Sequence, residues 1–445
     1  MDRAIYKRVM ALAYPAIISN LLFTFQIIAD TIMLGRYPPA DVSLSAVGVV
    51  FSLYHMFFPL TMGLVTGSIA IIARRWGERD YDEARWVATD TMITLILISV
   101  PIALFGLLIG PHMIYYLGAR GAVITEGTRY IRAVFSFYPC VALVTTYHGI
   151  LRAAGDTKTP MYVDLIANVY NVLMNYTLIF GHFGFPELGV LGAGIATGTS
   201  YAVAFGVYLV LQQRNKLIIH PVYRKNIQYR LETVKKMFRI GIPAGIDMAM
   251  WSFASLIFTW MILSFGTLGY SGFQIGLRAE SMAYMPAFGF GIAATTLAGQ
   301  YLGAKKKERA KQVVLASTYL CLIFMAVVGL VFILLPDYIA MVFTSNREVE
   351  SWAALYLFII GFSEPALGAF FTIAGGMRGA GYTKVPMLIN FVSLFGIRIS
   401  LAYALGFVLG WGLLGIWVGM TVETFIRAAV IYAVFRKGTW MNVAV

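Results

Sequence analysis

The sequence predicts an all-α membrane protein: twelve transmembrane helices in two pseudo-symmetric six-helix bundles, an N-lobe and a C-lobe. Three observations carry that prediction. Apolar runs of bilayer-spanning length recur from end to end, cations gather in every second connection, and the second half of the chain repeats the first. The 445 residues are 59% hydrophobic and only 12% charged, with a mean hydropathy of +0.76. A soluble domain of this length needs far less apolar surface. The runs fall at roughly 9–35, 45–73, 86–110, 128–151, 160–181, 188–212, 240–265, 272–300, 312–335, 350–377, 386–409 and 413–435, each long enough for a spanning helix. A porin-like barrel would show alternating segments of about ten residues. These runs are longer and do not alternate.

The net charge of +13 suggests nucleic acid until its distribution is read. Arg3, Lys7 and Arg8 precede the first span, Arg74, Arg75, Arg79 and Arg85 lie between the second and third, and Arg152 and Lys158 between the fourth and fifth. Further cations fill the 6–7 connection from Arg214 to Arg239, the 8–9 connection from Lys305 to Lys311, the 10–11 connection at Arg378 and Lys384, and the tail at Arg436 and Lys437. The opposite side has little beyond Arg36, Arg120 and Arg347. This is the positive-inside pattern, with both termini in the cytoplasm and the chain in the cytoplasmic (inner) membrane. The basic excess reports topology, so no nucleic-acid partner is expected. The N-terminus enters the first span directly, with no small-residue cleavage site, so no cleavable signal peptide is expected. Cys140 and Cys321 fall inside predicted helices and read as small buried hydrophobes. The five histidines have no metal-ligand spacing.

The repeat is direct. "GILRAAGDTKTPMYVDL" (149–165) lines up with "GGMRGAGYTKVPMLINF" (375–391), placing Arg152 on Arg378, Gly155 on Gly381, Lys158 on Lys384 and Pro160 on Pro386, an offset of 226 residues. Gly63 and Gly77 fall on Gly289 and Gly303 in the same register, and "AYPAI" (13–17) on "GIPAG" (241–245) with a small slip. An even number of spans per repeat gives both halves one orientation, related by an axis along the membrane normal. The expected organisation is residues 1–212 for helices 1–6, residues 213–239 as a basic amphipathic linker on the cytoplasmic membrane surface, and residues 240–445 for helices 7–12. Two like-oriented bundles around a central cavity suit alternating access.

The first span ends on a carboxylate. No charge separates Arg8 from Asp30, and an ionised Asp at the centre of a spanning helix costs on the order of 3 kcal/mol. Something must offset that cost. Gln26 lies one turn earlier on the same face. In the fifth span Asn168, Asn171 and Asn175 follow at i, i+3 and i+7, one stripe of a helix. A polar stripe inside a bilayer faces protein or water, so Asp30 and the stripe are expected to be neighbours. Carboxylate and amide oxygens suit a hard cation such as sodium at Asp30, Asn171 and Asn175. They equally suit a carboxylate that gains and loses a proton. A satisfied polar network between helices is the alternative reading.

"ADTIMLGRY" in helix 1, "LRAAGDTKTP" after helix 4, "NVLMNYTLIFG" in helix 5, "LGAGIATGTSY" in helix 6, the Gln300–Ala304 ending of helix 8 and "MRGAGYTKVP" after helix 10 together resemble the multidrug and toxic compound extrusion (MATE) family, across essentially the whole chain. The resemblance implies a V-shaped pair of lobes and a cation-coupled antiporter, driven by protons or sodium, that exports amphipathic organic cations and related drugs. It implies a monomer among membrane lipids, without a bound cofactor. In the family the helix 1 acid couples transport to the cation, and Asp30 matches it. Asn171 and Asn175 match the helix 5 pair that assists, Asn175 standing where some relatives have a second Asp. Thr197 matches the helix 6 threonine.

The second half has its own intramembrane charges: Asp247, Arg278, Glu280, Glu364, Arg398 and Glu423. They read either as a second cation or substrate site or as a structural ion-pair network. One branch of the family uses a helix 7 glutamate and a helix 10 aspartate. By spacing from Pro243 the first position falls on Trp251, and Glu364 is out of register with the second, so that site is not carried over. Aromatic and Met residues, with 31 Phe, 26 Tyr and 21 Met, offer faces for organic cations as well as ordinary packing. No Walker A pattern, nucleophile elbow or metalloprotease helix appears, so no enzyme is expected. The rival within the same two-lobed plan is a flippase for lipid-linked oligosaccharide or lipid precursors, whose cavity would carry more cations than Arg278 and Arg398.

Overall fold

The computed structural model describes residues 3–222 and 229–443, and among them every regular element is helical. α1 (Arg3–Gly35), α2 (Ala40–Gly77) and α3 (Tyr81–Leu108) are long single helices, followed by the short α4 (Gly110–Tyr116). α5 (Ala122–Ser136) and α6 (Tyr138–Ala154) meet at a 47° bend, and α7 (Lys158–Phe180) and α8 (Val190–Gln213) complete the first half. α9 (Leu231–Leu263), α10 (Thr267–Gly303), α11 (Lys307–Leu334) and the short α12 (Pro336–Phe343) open the second half. α13 (Arg347–Gly361) and α14 (Glu364–Gly379) bend by 56°. The next span, Lys384–Val408, contains α15 (Lys384–Phe391) and α16 (Ile399–Tyr403) with π-helical stretches between and after them, and α17 (Gly412–Arg436) follows.

Nine helices among the described residues are long and apolar enough to cross a membrane, and each of two bent pairs is so when its two helices are taken together. α10 reaches 37 residues but is glycine-rich and carries Arg278 and Glu280, which lowers its hydropathy. The expected fourth and tenth spans fall on the two bent pairs. Pro139 and Pro365, 226 residues apart, stand in the first turn of α6 and α14. Neither proline has an N–H to continue the preceding helix, so the span breaks there in both halves. The two turns that repeat in the sequence are alike too. Gly155 and Gly381 take left-handed φ values of 97° and 83°, which glycine adopts without penalty. After the first of them, Asp156 Oδ1 accepts from the Lys158 and Thr159 amides at 3.0 and 2.9 Å and starts α7.

The helices group into two compact units. One comprises Met1–Ile17, Gly77–Arg79 and Pro243–Val445, here the C-terminal unit, and the other Ile18–Trp76 and Asp80–Ile242, here the N-terminal unit. The start of α1 joins the C-terminal unit because its apolar stripe, Ile5, Val9, Leu12 and Ala13, packs with Phe290, Leu297, Val313 and Met325. Arg8 Nη1 donates to the Tyr301 hydroxyl at 3.1 Å. The start of α9 joins the N-terminal unit in the same way. A Cβ on Gly67 would stand 2.3 Å from the Met237 carbonyl, and one on Gly241 2.6 Å from that of Gly63. In the repeat register, a Cβ on Gly289 of α10 would stand 2.4 Å from the Ile17 side chain of α1. Gly67→Ala should therefore destabilise by about 1–3 kcal/mol, while Gly48→Ala, with nothing within 4 Å, should not. Thermal unfolding in detergent compares the two.

Of the expected linker, residues 223–228 lie outside the described residues, and residues from Leu231 onward are already helical. Arg230 ties the end of the connection to α3, pairing with Glu83 at 2.7 Å and Asp90 at 3.1 Å and lying over the Trp86 ring.

Candidate functional site

Asp30 lies in the last part of α1, half-buried within the N-terminal unit. Asn175 Nδ2 donates to its Oδ1 at 2.5 Å and also to Asn171 Oδ1 at 3.0 Å. Asn171 Nδ2 in turn reaches Thr197 Oγ1 of α8 at 3.5 Å. α7 presents its asparagines on one face by helical spacing, and Asn171 and Asn175 are fully buried. Three helices thus converge: the carboxylate comes from α1, the amides from α7 and the hydroxyl from α8. Asn175 Oδ1 is a buried oxygen without a hydrogen-bond partner among the described residues. The oxygens of Asp30, Asn171, Asn175 and Thr197 form an acidic and amide donor set suited to a proton or a hard monovalent cation.

Two expected members stand apart. Gln26 is buried but makes no hydrogen bond to Asp30. Asn168 turns to the other end of α7, donating Nδ2 to the Asp164 carbonyl at 2.9 Å. Two residues were missed. Tyr130 of α5 reaches Thr197 and lies within electrostatic range of Asp30, and Tyr201 of α8 lies in range of the same carboxylate. Tyr201 follows Thr197 by one turn on the same face, a signal present in the spacing.

The charges of the C-terminal unit form a chain. Arg378 pairs with Asp247, Asn390 Nδ2 donates to Asp247 Oδ1 at 2.7 Å, and Arg427 Nη1 donates to Asn390 Oδ1 at 2.8 Å. Arg427 and Arg398 both hold Glu423, at 3.1 and 2.6 Å, and Ser393 donates to it at 2.5 Å. Trp251 lies beneath both guanidinium groups at 5.2 and 5.5 Å. Arg278 is exposed and outside this network. Its neighbour Glu280, two residues on and so across the helix, is buried and accepts from the Tyr356 hydroxyl at 2.5 Å. Glu364, 1% exposed, makes no ion pair, and its Oε2 has no partner among the described residues.

With this geometry in place, comparison with known proteins is decisive for the family. The profile of the family described as MatE matches residues 15–177 and 243–404, one segment in each half. The chain belongs to the MatE family. Family membership makes it a multi-pass membrane transporter and not an enzyme. It is 30% identical to the probable multidrug resistance protein NorM of Thermotoga maritima, over 99% of this chain and 94% of that one. It is 28% identical to the uncharacterized transporter YisQ of Bacillus subtilis, over 97% and 94%. The solved outward-facing structure of a multidrug resistance MATE family transporter of the MOP superfamily superposes with a TM-score of 0.92 at 21% identity, covering 98% of this chain and 97% of that one, a likeness of fold. The two matched segments of this MatE chain begin at Pro15 and Pro243, the prolines that the repeat aligns, so the duplication read from the sequence is the family's own architecture.

Proposed function

We propose that the chain is a cation-coupled antiporter that exports amphipathic organic cations and related drugs from the cytoplasm. It acts as a monomer in the cytoplasmic membrane with both termini inside. The observation that carries this reading is the Asp30 carboxylate, set in an otherwise uncharged helix and held by Asn175 at the head of a buried polar seam. Such a group is expensive at membrane depth and marks an ion pathway. One relative is named as a probable multidrug resistance protein and a solved neighbour is described as a multidrug resistance transporter; both support the substrate class. Binding of a proton or sodium at Asp30 favours the conformer that releases drug outside, and drug from the cytoplasm favours the cation-free state. The charge chain of the C-terminal unit is read as structural, because each of Asp247 and Glu423 is matched by guanidinium groups.

The reading is tested with purified protein in proteoliposomes loaded with a fluorescent dye cation. Transport should follow an imposed pH gradient or an imposed sodium gradient, and the effective one identifies the coupling ion. Transport under neither gradient would overturn the antiport reading and favour a lipid-linked substrate.

A further inference from the structure

Each half of the chain builds the same three-helix polar node. Arg152 stands three residues before Gly155 at the end of α6, Ser19 four residues after Pro15 in α1, and Asp164 four residues after Pro160 in α7. Arg152 donates Nη2 to Ser19 Oγ at 3.4 Å, and Ser19 donates its hydroxyl to Asp164 Oδ2. In the second half Arg378 stands three residues before Gly381 in α14, Asp247 four after Pro243 in α9, and Asn390 four after Pro386 in α15. Arg378 pairs with Asp247, and Asn390 Nδ2 donates to Asp247 Oδ1 at 2.7 Å. The three helices and the three positions correspond, and only the place of the acid differs. It is on α7 in the first node and on α9 in the second. His148 Nε2 stands 3.4 Å from Asp164 Oδ1 without a hydrogen bond, and the repeat puts Ala374 in its place, so the imidazole is no part of the shared node.

In the N-terminal unit the node shares two helices with the candidate site. Ser19 and Asp30 both come from α1, Asp164 and Asn175 both come from α7, and each bonded pair is 145 residues apart in sequence. Asp30 lies eleven residues after Ser19, and Asn175 eleven after Asp164. Eleven residues make three turns, so α1 and α7 run side by side in the same direction and meet at two points about 16 Å apart along one face. One contact would let a helix slide or turn on its neighbour. A second contact three turns away fixes the register. A slip of one turn would move α1 by about 5.4 Å and take the Asp30 carboxylate out of reach of Asn175, whose bond to it measures 2.5 Å. We propose that Arg152, Ser19 and Asp164 are positioning residues for cation binding: they dock α1 on α7 and so hold Asp30 beside Asn175 and the seam that runs on to Asn171 and Thr197. The proposal rests on reading Asp30 as the coupling site and names what places it. The second half supplies the contrast. There the repeat puts Phe258 and Leu401 at the positions of Asp30 and Asn175, so its node docks α9 with no acid to position.

The test titrates protons and sodium separately against a bound fluorescent dye cation, with the purified protein in detergent. It reads two quantities: the dye affinity at low cation, and the cation concentration that halves that affinity. Ser19→Ala and Asp164→Asn should need at least about tenfold more cation, while their dye affinity at low cation stays within about twofold of wild type. The double exchange Ser19→Asp with Asp164→Asn installs the acid and amide of the second node, with the acid where Arg152 already reaches. It should return the cation response to within about threefold of wild type. Asn390→Ala, the control in the second half, should lower the unfolding temperature and leave the cation response unchanged. A wild-type response in Ser19→Ala and Asp164→Asn would overturn the positioning role. So would a double exchange that restores nothing, a loss of dye affinity equal to the loss of cation response, or the same loss of response in Asn390→Ala. Ser19→Ala removes a single hydroxyl and decides the matter alone if Asp164→Asn does not fold. In all these cases the wild type still answers to a cation and Asp30 keeps its role. If the wild-type dye affinity ignores both cations, the coupling reading falls and the positioning role with it.

Discussion

Asp30→Asn is expected to fold, to reach the membrane and to lose gradient-driven export. The amide keeps the size of the carboxyl and can still hydrogen-bond the Asn175 side chain, whose present bond to Asp30 measures 2.5 Å. It cannot take a proton and contributes no charge to a cation. In a two-state exchange the coupling between cation and drug is a free energy of about 1–3 kcal/mol, or about 5–150-fold in affinity. Removing the acid removes that coupling. Because an amide resembles the protonated acid, the variant should hold dye with the weak affinity of the cation-loaded wild type. Uptake under a gradient should fall to the leak rate. Purification yield and thermal unfolding separate this loss from a folding defect.

Glu423→Gln should have the largest effect on stability. Its carboxylate holds Arg398 and Arg427, which are 7% and 0% exposed. Removing the acid leaves two buried guanidinium groups short of their counter-charge, and breaking a buried pair in this way costs about 3–5 kcal/mol. Glu364→Gln is the contrast. Glu364 holds no cation and makes no side-chain hydrogen bond among the described residues, so its replacement should cost less than about 1 kcal/mol. Detergent-solubilised protein melted in parallel shows whether the two glutamates differ in this order.

Much of the fold was legible because the bilayer imposes length and composition on each span. The direct repeat was legible because it leaves identical residues 226 positions apart. The bends at Pro139 and Pro365 were missed: an apolar run reports length, whereas a change of direction within it depends on one absent N–H. The exchange of helix ends left a trace only in glycines, Gly63, Gly67, Gly241 and Gly289, whose closeness to another backbone appears once the helices are placed. At the candidate site, the meeting of Asp30 with Asn171, Asn175 and Thr197 agrees with the helical spacing and with the family resemblance. Asn168 belongs with Asp164, one turn further along the same stripe, and Asp164 was overlooked because it lies next to the charged turn. Arg278 was grouped with Asp247, Glu280 and Glu364 because charges at membrane depth are expected to pair, yet Arg278 and Glu280, two residues apart on one helix, point to opposite sides.

The central claim is that drug and cation compete through Asp30, and binding tests it most directly. Dye affinity is measured in detergent for wild type and Asp30→Asn while proton and sodium concentrations are varied separately. The account predicts that one cation weakens dye binding to the wild type, and that the variant binds dye weakly with no response to either. A wild-type affinity that ignores both cations, or a variant that responds as the wild type does, would contradict it.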